Sequence, residues 1–107
     1  MHALPEIVTE HLDEVRALCE TYSVKRLVLF GSAAKGTYRP DESDIDFLVE
    51  FLPEASGKGF AHPFFSLAED LRDLLRVEVD LVEPGAIRNP YIAESIRRAQ
   101  LAIYDAA

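Results

Sequence analysis

Asp44 and Asp46 stand two residues apart in the stretch DIDFLVEF, and Asp80 lies inside a second short apolar stretch, VEVDLV. Carboxylates two apart on an extended chain point the same way, with Cα atoms about 6 to 7 Å apart. They repel each other unless a cation lies between them. With Asp80 as a third oxygen ligand, an oxygen-only site that leaves positions for water and phosphate suits Mg²⁺. Gly31 and Ser32 close the preceding apolar stretch. Glycine there allows close backbone approach, Ser32 offers a hydroxyl, and the amides of the following turn point outward, which suits phosphate oxygens. Taken singly, an Asp-x-Asp is a solvated strand end and a Gly-Ser an ordinary tight turn. The combination, in this order and each part tied to its own apolar stretch, is much harder to reach by chance.

Lys35 and Arg39 flank the same loop and are candidates for extra phosphate contacts, with a solvated surface charge as the equal alternative. Lys58, between Gly57 and Gly59, reads better as part of a polar turn. Glu78 alternates onto the side of Asp80 but reads as a solvated strand-end carboxylate, and Arg97 and Arg98 as solvated charges. His2, His11 and His62 have no second histidine at metal-binding spacing and receive no chemistry.

Short buried strands position these residues, with amphipathic helices to cover them. Ile7, Val8, His11, Leu12, Val15, Leu18, Cys19 and Tyr22 recur at helical spacing, so one helix is expected from Pro5 to near Tyr22. Lys25 to Phe30 is β-rich, too short for a helix and closed by Gly31, hence a strand. The stretch 31–42 is a loop with one helical turn after Ser32. From Asp44 to Phe51 the apolar residues alternate, and the polar face begins with the two aspartates. Pro53 to Pro63 reads as a flexible loop, and Phe64 to Leu75 as a second amphipathic helix. Val77 to Val82 forms a third strand, and Asn89-Pro90 a standard helix start, with Ile92, Ile96, Ala99 and Ile103 along one side of a final helix. The order is α-β-loop-β-α-β-α. A three-layer arrangement needs more chain than this, so the expected fold is α/β in composition (α+β in layout), a small mixed sheet with helices mainly on one face. The acids would lie on the other, open face.

At 107 residues, of which 49% are hydrophobic, the chain supports one modest core and is read as a single domain, 1–107. Eleven basic against nineteen acidic residues leave a net charge of -8, which argues against direct nucleic-acid binding, since neutralising phosphates with Lys and Arg supplies most of such affinity. One cysteine cannot make an internal disulfide, so a reducing, cytoplasmic setting is expected. No stretch approaches the roughly 18 apolar residues of a membrane span, and the first residues are acidic where a signal peptide is basic.

The stretch LFGSAAKGTYRPDESDIDFLVEF, followed by VEVDLVEP, resembles the nucleotidyltransferase signature of the DNA polymerase β-like superfamily: Gly-Ser, about ten residues, Asp-x-Asp, then a later Asp. The brevity of the chain and its ending, NPYIAESIRRAQLAIYDA, are similar to the minimal nucleotidyltransferases (MNT), antitoxin partners of HEPN-domain toxins in prokaryotic toxin-antitoxin pairs. The similarity runs from Lys25 to Tyr104. It implies a polymerase β-like fold, ATP as substrate and two Mg²⁺ ions. Under it, Gly31 and Ser32 hold the triphosphate, Asp44 and Asp46 bind both metals, and Asp80 completes the catalytic metal site and helps to activate the acceptor hydroxyl. The implied acceptor is a tyrosine of a cognate HEPN-domain RNase toxin, silenced by AMP in a hetero-oligomer. The family often carries a basic residue directly after Gly-Ser; this chain has Ala33, although Lys35 keeps a positive charge in the loop. Two alternatives remain open here. One is a binding-only antitoxin that blocks its toxin sterically; the other is a small-molecule nucleotidyltransferase working with a separate substrate-binding subunit.

Overall fold

The computed structural model describes residues 4–35, 44–56 and 63–106. Its frame is a four-stranded sheet in the order β3-β2-β1-β4, built from β1 (Val24–Phe30), β2 (Ile45–Phe51), β3 (Val79–Val82) and β4 (Gln100–Asp105). β2 runs antiparallel to β1 and parallel to β3, and β4 runs antiparallel to β1, so the sheet is mixed. Around it lie α1 (Glu6–Glu10), α2 (Leu12–Thr21), α3 (Ser32–Lys35), α4 (Pro53–Ser56), α5 (Phe64–Leu75) and α6 (Pro90–Arg98), with a 3-10 turn at Pro84–Ala86.

Alternation along the strands sorts their side chains onto two faces. Leu27, Leu29, Ile45, Phe47, Val49, Val79 and Leu81 face the main core, with Val15 and Cys19 of α2 and Leu67, Leu71 and Leu75 of α5. Val28, Phe30 and Leu48 point the other way and gather Val82, Ile87, Ile92 and Ile96 into a smaller cluster. The second face is therefore not left open as expected. Helix α6 covers part of it, and the acids occupy the end that remains.

The final segment departs from the expected order, which lacks a last strand. Helix α6 stops at Arg98, Ala99 is extended (φ -156, ψ 125), and β4 follows. Ile96 belongs to the smaller cluster while Ile103 belongs to the main core on the opposite face, a separation that one straight helix stripe cannot give. β4 also supplies backbone partners to β1, whose buried Leu27 to Phe30 would otherwise form an unpaired edge. Further differences are smaller. The first helix is divided at His11, which bonds back to the Val8 carbonyl at 3.2 Å, yet apolar spacing continues across the break and hides it. Pro53 to Ser56 forms a helical turn inside the expected loop, and β3 begins at Val79 rather than Val77. The start of α6 is as expected, with Asn89 Oδ1 accepting the Tyr91 N–H at 2.8 Å and Pro90 in the first turn. Among the described residues no helix is long and apolar enough to cross a membrane.

Candidate active site

The register of the sheet brings the sequence-derived residues to one end. Phe30, last residue of β1, pairs with Asp46 on β2, and Asp46 pairs with Asp80 on the parallel β3. Neighbouring strands lie about 4.8 Å apart, so Gly31, Asp46 and Asp80 span roughly 10 Å along the sheet end. Both carboxylates point to the face of Phe30, Leu48 and Val82, away from the main core.

Gly31 has a positive φ of 74, and a Cβ there would overlap Oδ2 of Asp46 outright. The glycine is thus needed for its backbone conformation and for the room it leaves to the neighbouring carboxylate. Ser32 opens α3 and is partly exposed. Ala33, where a basic residue often follows Gly-Ser, is buried within the main core. That position faces inward here and offers no phosphate contact. Lys35 ends α3 with its side chain outside the described residues, and Arg39 lies outside them altogether.

Burial first, and then the charge of Asp80, a hydrogen bond with its carboxyl and the charge of Asp44, push the Asp46 carboxyl up to about 7. Two carboxyl groups this close hold a proton between them or need a cation. Asp44 is exposed just before β2 and acts on Asp46 by charge alone. Among the described residues no three acidic, histidine or cysteine side chains converge into a ready-made metal site. The arrangement is a tight pair with an outlier. Its all-oxygen donors and its crowding fit a divalent cation, which Asp46 and Asp80 would hold.

A groove of about 510 Å³ opens beside the pair, walled by Phe30, Leu81 and Val82 of the sheet and by Tyr91, Ile92 and Ser95 of α6. Two residues of this groove carried no signal in the sequence. Arg72 donates from Nε and Nη2 to the Val79 carbonyl at 3.2 and 3.0 Å, clamping the residue before Asp80 and supplying the one positive charge among the described groove residues. It sits in the polar register of an amphipathic helix, where it looks like any solvated arginine. Tyr91 is 84% exposed at the groove mouth. An adjoining apolar groove of about 540 Å³ shares Leu81, Val82 and Ile92 with the first and includes Phe65, itself 75% exposed.

Comparison with known proteins gives consistent results. The nucleotidyltransferase domain family matches residues 12–102. The chain is 46% identical over 81 residues to a protein of Methanocaldococcus jannaschii assigned as a protein adenylyltransferase, covering 76% of this chain and 78% of that one. Its fold is similar to a solved structure assigned as a minimal nucleotidyltransferase, with TM-score 0.69 and 30% identity over 94% of this chain and 96% of the other. It is also similar in fold, with TM-score 0.57 and 18% identity, to a chain of the tri-AMPylated Shewanella oneidensis HEPN toxin in complex with MNT antitoxin, covering 92% of this chain and 72% of that one.

Proposed function

Because the chain belongs to the nucleotidyltransferase domain family, we propose that it transfers AMP from ATP to a hydroxyl group of a partner protein, a tyrosine of a HEPN-domain toxin, and acts as that toxin's antitoxin. The observation that carries the chemistry is the Asp46–Asp80 pair on adjacent parallel strands, set against a glycine whose missing side chain makes room for it. Adenylyl transfer to a protein is supported by the assignment of the M. jannaschii relative. A protein acceptor is further supported by the mainly apolar groove that adjoins the acids, where the exposed Phe65 suits a protein surface better than a sugar.

Asp44, Asp46 and Asp80 hold Mg²⁺ in this reading, and Gly31 and Ser32 hold the triphosphate. The bound metal supplies charge neutralisation at the phosphates and lowers the pKa of the attacking hydroxyl. The chain's own residues do the rest. Asp80, exposed to the groove, faces the acceptor hydroxyl and takes its proton. Arg72 holds the backbone before Asp80 in place. The short α3 seats Ala33 and Ala34 in the core, which fixes the Gly31–Ser32 turn against β2. The acidic surface favours encounter with a basic RNA-cleaving protein.

The test is Asp46→Asn, assayed for transfer of labelled AMP to a co-expressed partner. Transfer is expected to fall by at least a hundredfold with the circular dichroism spectrum unchanged, because the altered group lies off the main core. Wild-type activity in the variant overturns the assignment.

A further inference from the structure

Two of the three described tyrosines are committed elsewhere. Tyr22 donates its hydroxyl to Asp70 of α5, and Tyr22 and Tyr104 both pack against the main core. Tyr91 stands on the side of the acids. Asn89 pins its backbone N–H at 2.8 Å, and Ile92 and Ile96 seat α6 on Val28, Phe30 and Leu48. Packing therefore holds its Cα over the groove, while the ring turns about two side-chain torsions. An aromatic ring left 84% exposed beside a pair of carboxylates, in the groove they share, has no role in the fold.

In-line transfer puts the attacking oxygen and the leaving pyrophosphate on opposite sides of the phosphorus. With the triphosphate at the Gly31–Ser32 turn after β1, the opposite side of Asp46 in the sheet is that of Asp80 on β3, and Tyr91 lines the groove that holds Asp80, Leu81 and Val82. We propose that Tyr91 is an internal acceptor and that the protein adenylylates itself there; this rests on the adenylyltransferase reading above. Tyr91 Oη forms a bond to the α-phosphorus of ATP. The bond from that phosphorus to the oxygen bridging to the β-phosphate breaks, and pyrophosphate leaves with the electron pair. The phenolic proton passes to the Asp80 carboxylate.

The experiment incubates the full chain with Mg²⁺ and ATP, alone, and follows intact mass and then peptide mass. One AMP per chain is expected on Tyr91, at a rate per chain that does not change with protein concentration. Tyr91→Phe should lose the adduct and bind a non-hydrolysable ATP analogue as wild type does. No adduct, an adduct on another residue such as Tyr38, or a rate that rises with concentration overturns the inference. A wild-type protein that modifies a partner but not itself overturns this inference alone. One that binds no ATP overturns both readings.

Discussion

Replacing Gly31 by alanine adds one methyl group at a place where the backbone is left-handed and Asp46 already fills the space. The left-handed conformation alone costs an L-residue about 1 to 2 kcal/mol. Pushing the Asp46 carboxyl aside adds to this and moves a metal ligand, so Gly31→Ala is expected to lose stability and transfer together. The two causes separate in a double-mutant cycle. With Asp46→Ala as background the obstructing oxygens are gone, and Gly31→Ala should cost only its backbone share. Urea melts of the four proteins measure this; an equal cost in both backgrounds means that Asp46 does not press on position 31. The sequence carries Gly-Ser and Asp-x-Asp plainly, because phosphate approach and metal binding dictate residue types. That Gly31 and Asp46 answer to each other depends on the pairing of Phe30 with Asp46, which no local pattern states.

The segment after Asn89 carries two periods at once. Ile92, Ile96, Ala99 and Ile103 fit a helix, while Leu101 and Ile103 fit a strand, and spacing alone does not choose between them. What chooses is the edge of β1, whose buried residues need backbone partners, and that need becomes visible only once the sheet order is known. The same limit applies at His11, where the chain turns without disturbing the apolar repeat. Strands β1 and β2 and helix α5 were legible because their periods are unambiguous and turn residues bound them. The strand assignment makes a prediction. Ile103 is 2% exposed in the main core, so Ile103→Ala should cost about 2 to 5 kcal/mol. Ile96 only flanks the smaller cluster, and Ile96→Ala should cost less than half as much. Nearly equal losses in denaturant melts would instead match a single helical stripe running from Ile92 to Ile103.

Over the whole molecule, acidic charge is spread across the surface and then concentrated at one end of the sheet, and these two distributions respond differently to salt and pH. General repulsion from a net charge of -8 is screened within about 10 Å at 0.1 M salt, whereas the half-buried Asp46 carboxyl, in direct contact with Asp80, is screened less. Asp46 ionises near its ordinary value of 3.8 in the unfolded chain and at about 7 in the folded one. Between those values the native state holds a proton that the unfolded state has released. Stability is therefore lost progressively as pH rises from about 3.8 to about 7, and the loss is complete once the folded protein has ionised Asp46 beside Asp80. In EDTA and moderate salt, wild type should melt progressively lower than Asp46→Asn as pH is raised from 4 to 8, with the gap levelling off above 7. Mg²⁺ with a non-hydrolysable ATP analogue should then reverse the order at pH 8, since a ligand that binds only the native site stabilises by about 2.7 kcal/mol at a hundredfold excess over its Kd. That gain should be absent from the Asp46→Asn protein. Melting curves that shift in parallel for the two proteins, with pH and with metal and nucleotide alike, would mean that Asp46 is an ordinary surface carboxylate and that the strain at this end of the sheet does not exist.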